Sequence, residues 1–135
     1  MATTHSLAQL RAQHALAAIT ALAAQGPSAY GSYVSYVKAL PANIRSLGLG
    51  QSLAFALSKC QGDLKKPYGI LYAHVTGWIC QRPTYPGATP QNFMEKLTGG
   101  SQTKYLHAQI EAMAYLEWLK KFAVAQLKED KEARE

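Results

Sequence analysis

Acidic residues are the scarcest thing in this chain. Residues 1–62 contain no aspartate or glutamate, and residues 1–127 contain four acids: Asp63, Glu95, Glu111 and Glu117. Two-metal hydrolysis needs several clustered carboxylates and acid–base hydrolysis needs a positioned pair, so a body this poor in carboxylates is badly supplied for either. Cysteine is sparser still. Cys60 and Cys80 stand 20 positions apart, too far for a CxxC redox or zinc motif and too few for the disulfide framework of a small secreted domain. Two separate thiols in a reducing compartment are expected. Uninterrupted apolar runs are missing as well, and no segment approaches the roughly 20 residues of a membrane span. The opening MATTHSLAQLRAQHALAAITALAAQG is broken by His5, Gln9, Arg11, Gln13 and His14, unlike the basic-then-apolar order of a signal peptide. The expectation is a soluble cytoplasmic protein with no membrane partner.

Period-two alternation of apolar and polar residues is also absent, which argues against strands. The GxG at Gly48 and Gly50 follows no strand and lacks a third glycine or a GK[ST] ending, so it is not read as a nucleotide-phosphate loop. No repeat of fixed period and no long heptad run is present, which excludes a solenoid and an extended coiled coil.

What remains is a basic, alanine- and leucine-rich chain of 135 residues, enough for one domain with a substantial core. Residues 1–127 hold 11 lysines and arginines against the four acids, a surplus of +7 ahead of the near-neutral tail KEDKEARE. The expectation is a single helical domain over 1–135, with 128–135 as a frayed charged tail. A basic body favours polyanions, whether nucleic acid, acidic protein or anionic membrane.

The elements read as follows. Thr4 or Ser6 caps a first helix carrying Leu7, Leu10, Ile19 and Leu22, which Gly26 and Pro27 stop. Ser28–Ala39 reads as a second helix, Pro41 as a break, and 42–47 as a short helical turn before Gly48. Gly50–Lys59 forms another helix. A helix over 66–81 has Pro67 at its start, and Pro83, Pro86, Gly87 and Pro90 define a long loop. Thr89 caps a brief helix through Leu97. Ser101 caps the last helix, which runs to about residue 130 and is apolar around much of its circumference, as a central helix would be. The fold class is all-α, a compact bundle of about five to seven helices with a long C-terminal one.

Catalytic candidates fare poorly. His107 and Glu111 are spaced i, i+4, which suits a surface hydrogen bond; without a second His or Cys at ligand spacing they are not read as a metal site. Cys60 or Cys80 with His74 lacks a local motif and a helix-start position that would acidify the thiol. No catalytic residue, metal or cofactor is expected. The tyrosines at 30, 33, 36, 68, 72, 85, 105 and 115 are expected mostly in or around the core, as are Trp78 and Trp118. Lys38, Arg45 and Lys59 fall at ends or outer turns of short helices. Lys120 and Lys121 are about 100° apart on the last helix, so at least one faces outward, and Glu117 at i, i+4 is a candidate partner for Lys121.

Two blocks then carry a resemblance. LPANIRSLGLGQSLAFALSK (40–59) has Leu40, Pro41 and Ile44, then Gly48-Leu49, Gln51, Leu53-Ala54-Phe55 and Ser58-Lys59. YLHAQIEAMAYLEWLKKFA (105–123) has Tyr105, Glu111-Ala112, Trp118-Leu119-Lys120 and Phe122-Ala123. In order and chain length they resemble the small α-helical subunit of type III-B CRISPR effector (Cmr) complexes, while residues 60–100 match weakly. Lys120-Lys121 stands where that family usually has Lys-Arg, which keeps the charge but not a bidentate fork.

The resemblance implies a non-catalytic antiviral ribonucleoprotein subunit. Its copies stack head to tail beside the guide-RNA-bearing backbone subunit, forming a groove for guide and target RNA, with cutting and nucleotide cyclisation left to other Cmr subunits. Lys38, Arg45, Lys59, Lys120 and Lys121 are then expected among the RNA-facing cations, reading phosphates rather than bases. The alternative is a stand-alone basic helical adaptor that meets an acidic protein partner.

Overall fold

The computed structural model describes residues 4–129, and the helices that the sequence predicts are there with shifted borders. In chain order they are α1 (Leu7–Gln25), α2 (Pro27–Tyr30), α3 (Tyr33–Leu47), α4 (Leu49–Cys60), α5 (Pro67–Cys80), α6 (Phe93–Gly99) and α7 (Gln102–Gln126). Among the described residues the fold is all-α, and α7 is its longest element. Ser6 caps α1 in a reciprocal box with Gln9, and Ser101 caps α7 by accepting from the Lys104 amide.

Two borders differ from expectation. The anticipated helix over Ser28–Ala39 is split at Gly31, whose φ of 48° favours glycine. A side chain there would meet the Pro67 ring at 3.4 Å, so the split also lets α5 begin against this turn. Pro41, in contrast, does not break the chain; it lies inside α3. Tyr33, Val34, Val37, Leu40, Pro41 and Ile44 are all buried, a stripe of helical spacing that runs through the proline. Interrupting the helix would swing Ile44 out of the core, and its burial outweighs the hydrogen bond that the proline removes. Similarly, α6 starts at Phe93 rather than near Thr89. Thr89 and Asn92 bond each other's amides in the turn that precedes it.

Helix α7 is the spine. Pairings of Arg11 with Glu111, His14 with Tyr115 and Thr20 with Gln126 advance together, so α1 and α7 run parallel. Lys38 meets Glu129 whereas the Leu49 amide meets Gln109, so α3 runs antiparallel to α7. Ala108, Ala112, Tyr115, Leu116, Leu119 and Ala123 form its buried stripe. The opposite side is not covered: Leu106, Ile110 and Val124 are exposed, and so is Trp118, at 37%. The expected core position of Trp118 is therefore corrected. It sits about 120° around α7 from Leu106, outside the stripe that faces α1 and α3.

The two sequence blocks meet at one joint. Gly48 turns the chain from α3 to α4 with φ at 86°, and a side chain on it would come within 3.1 Å of the Tyr105 hydroxyl. That hydroxyl accepts from the Gly50 amide at 2.8 Å, and Gln109 Oε1 accepts from the Leu49 amide at 2.9 Å. Helix α4 has no side-chain cap of its own. Residues of α7 satisfy its first amides instead, which would otherwise be orphaned.

Of the tail expected to fray, residues 130–135 lie outside the described residues. At its start, the Lys128 amide donates to the Tyr30 hydroxyl at 3.0 Å, and Glu129 lies 3.4 Å from Lys38.

Candidate nucleic-acid interface

Antiparallel packing of α3 on α7 places Lys38 opposite the last turns of α7. With Lys120, Lys121 and Val124 it lines an open groove of about 550 Å³. Three of the five expected cations thus come together from segments more than 80 residues apart in the chain. Arg45 lies seven residues after Lys38 on α3, two turns along and nearly on the same side. It is exposed but does not line the groove. Lys59 is in the last turn of α4, with its ammonium 5.8 Å from the exposed Phe55 ring. Arg45 and Lys59 each occupy a helix C-terminal turn, where a cation also complements the carbonyl end of the helix.

Two acids reach the groove. Glu129 is 3.4 Å from Lys38, and Glu117 pairs with Lys120 at 3.5 Å rather than with Lys121, the partner expected from i, i+4 spacing. Both pairs are partly exposed and worth about 1 kcal/mol or less, weak enough for a polyanion to displace. Lys121 makes no ion pair among the described residues.

Aromatic exposure is what sequence reasoning missed. Phe55 is 45% exposed and meets Tyr68 edge-on, while Tyr68 stacks on Tyr36 at 3.6 Å. Trp118 stacks on Phe122 at 6.0 Å beside Lys121 on α7. A full helical-wheel count of α7 would have placed Trp118 outside the Ala108–Ala112–Leu119–Ala123 stripe; treating every tryptophan as core did not. All eight tyrosines are buried or half-buried.

The groups considered for chemistry are engaged elsewhere. Glu111 accepts from Arg11 Nε at 2.5 Å, from Arg11 Nη2 at 3.1 Å and from Trp78 Nε1 at 2.8 Å, so its hydrogen bonds go to these two residues rather than to His107. Burial pushes its carboxyl up, but the hydrogen bonds from Arg11 and Trp78 outweigh this and hold it below the usual carboxylate value. His14 shares a 2.6 Å hydrogen bond with the Tyr115 hydroxyl, and His74 a 2.7 Å one with Tyr33. Burial, with a smaller push from His14, lowers His74 to about 4. Cys60 is buried, and burial raises the Cys80 thiol, the opposite of what a nucleophile needs. Among the described residues no three His, Cys, Asp or Glu side chains gather to hold a metal, and no helix is long and apolar enough to cross a membrane.

A bundle whose buried histidines and Glu111 are tied up in hydrogen bonds, and whose outward cations line an open groove, belongs to the class of small all-helical proteins. The family model described as CRISPR-associated protein (Cas_Cmr5) matches residues 7–126. The chain is also similar in fold to the crystal structure of a CRISPR-associated Cmr5 family protein from Thermus thermophilus. The sequence identity is 26% and the TM-score 0.71, with 92% of this chain and 100% of that one covered. The chain therefore belongs to the CRISPR-associated Cmr5 family, small subunits of type III-B Cmr complexes.

Proposed function

We propose that this protein is a non-catalytic small subunit of an RNA-guided type III-B effector. It stacks with copies of itself beside the guide-bearing backbone subunit and holds guide or target RNA along its basic surface. Family membership supports the setting, and one observation carries the RNA reading: Lys38, Lys120 and Lys121 converge in one open groove. Lysines supply charge without a rigid fork, so the groove suits phosphates of any sequence, while guide pairing supplies selection. Arg45 and Lys59 extend the positive surface along the outer turns of α3 and α4. The exposed apolar positions Leu106, Ile110 and Val124 on α7 are suited to neighbouring subunits.

The test is charge reversal at Lys38, Lys120 and Lys121 in the assembled complex, with target-RNA affinity followed across a salt series. Each lost phosphate contact lowers the slope of log affinity against log salt by about 0.7–0.9, so a drop of about 2–3 is expected with all three. Unchanged affinity and slope would refute the groove. Competition that favours an acidic polypeptide over RNA would point to an adaptor instead.

A further inference from the structure

A second cleft, also of about 550 Å³, opens where α6 ends and α7 begins, lined in part by Tyr85, Lys96, Gly100, Ser101 and Lys104. Its floor holds an unusual group. Tyr85 is only 3% exposed, and its buried hydroxyl has no hydrogen-bond partner among the described residues. Buried polar groups are rarely left so, and a phenol here calls for an acceptor. The hydroxyl lies 4.0 Å from the point where a side chain on Gly100 would begin, which places it against the start of α7. At that start the Lys104 amide is taken by Ser101 Oγ at 3.2 Å and the Tyr105 amide by the Ser101 carbonyl. The amides of Gln102 and Thr103, the first two of the helix, have no partner among the described residues.

The charge in the cleft is two lysines against one acid. Lys96 and Lys104 line the cleft together with Glu95, and the Lys104 ammonium rests 6.0 Å from the Tyr85 ring centre. Gly100 keeps the junction bare, since a side chain there would press on the Lys96 carbonyl at 2.9 Å and on the Tyr85 ring at 3.2 Å. A phenol and two ammonium groups thus belong to the cleft lining, the two unbonded amides follow directly after its Ser101 edge, and a compact oxyanion with several oxygens matches such donors.

We propose that this cleft is a phosphate-binding site, apart from the Lys38 groove, in which Tyr85, the α7 amides of Gln102 and Thr103, Lys96 and Lys104 hold a phosphate group. Lys104 moves from the Tyr85 ring onto the anion and so uncovers the hydroxyl. The phosphate is either free or carried on an RNA end.

The test titrates inorganic phosphate into the full chain and follows backbone amide resonances. Saturable shifts are expected at Gln102 and Thr103. Lys104→Gln should weaken them at least tenfold, whereas reversing charge at Lys120 and Lys121 should leave them in place. Tyr85→Phe should weaken phosphate binding several-fold and raise the melting temperature of the phosphate-free protein, because the lost hydroxyl had no partner. A purely structural hydroxyl would lower that temperature. Tighter binding at these amides by a 5′-phosphorylated short RNA than by its 5′-hydroxyl twin or by inorganic phosphate assigns the site to an RNA end; equal phosphate and RNA affinities assign it to the free anion. Absence of saturable shifts, or a Tyr85→Phe protein that melts lower and binds phosphate unchanged, overturns the proposal and leaves water as the hydroxyl's partner.

Discussion

Replacing Glu111 with alanine should destabilise this protein by about 3 kcal/mol. The carboxylate takes three hydrogen bonds, two from Arg11 and one from Trp78. The Arg11 and Glu111 side chains are 18% and 13% exposed. That places the pair between a surface ion pair, worth up to about 1 kcal/mol, and a fully buried one, whose breakage costs about 3–5 kcal/mol. Truncation leaves a half-buried guanidinium facing an indole N–H with no acceptor between them, so the cost falls toward the upper limit. At about 3–5 °C per kcal/mol for a domain of this size, melting followed by circular dichroism at pH 7 should fall by roughly 10 °C. Arg11→Met should cost less, because it leaves Glu111 its bond from Trp78 and no stranded cation. The double variant should be more stable than the sum of the singles by about 1.5–3 kcal/mol. Since the Glu111 carboxyl is held below its usual value, this contribution is present above the unfolded pKa of about 4.3 and is lost as pH falls through the folded value. A Glu111→Ala protein within about 0.5 kcal/mol of the parent, or strictly additive variants, would refute the reasoning.

Other outcomes follow from the same geometry. His74 is neutral in the fold down to about pH 4 but charges near 6.5 when unfolded, so stability should fall by about 3 kcal/mol in total between those two values; His74→Gln should flatten that limb in pH-dependent chemical denaturation. Tyr105→Phe strands the Gly50 amide and should cost about 1–2 kcal/mol by urea unfolding. Gly48→Ala meets both a positive φ and the Tyr105 hydroxyl at 3.1 Å, and should cost more than about 1 kcal/mol by the same measurement. Trp118→Ser should cost the isolated protein about 1–3 kcal/mol by urea unfolding, less than the roughly 3–5 of a fully buried tryptophan, since the residue sits 37% in solvent.

Most of the fold was legible because its punctuation is local. Ser6, Ser101, Pro67 and the glycine-proline pair at 26–27 act on their own turns, and they mark helix ends where the structure has them. Pro41 misled because its meaning is not local: packing of the residues on both sides of it decides whether the helix continues. Trp118 misled for the converse reason, since size argued for burial while its angular position on α7 argued against it. At the candidate interface, the identity of the cations was readable but their grouping was not. Lys38 meets Lys120 and Lys121 only through the antiparallel contact of α3 and α7, and neither segment announces that contact by itself. The Tyr85 cleft was invisible for a related reason: an unpartnered hydroxyl is a property of its surroundings, not of the residue.

The joint in which Tyr105 and Gln109 finish the first turn of α4 bears on how such chains can be recombined. A donor segment spanning 40–59 from a relative would arrive with its leading amides shaped for a partner it left behind. Grafting that segment alone should yield poorly folded hybrids, whereas moving it together with 105–123 should not. The two stretches act as one mechanical part, although 45 residues of chain lie between them.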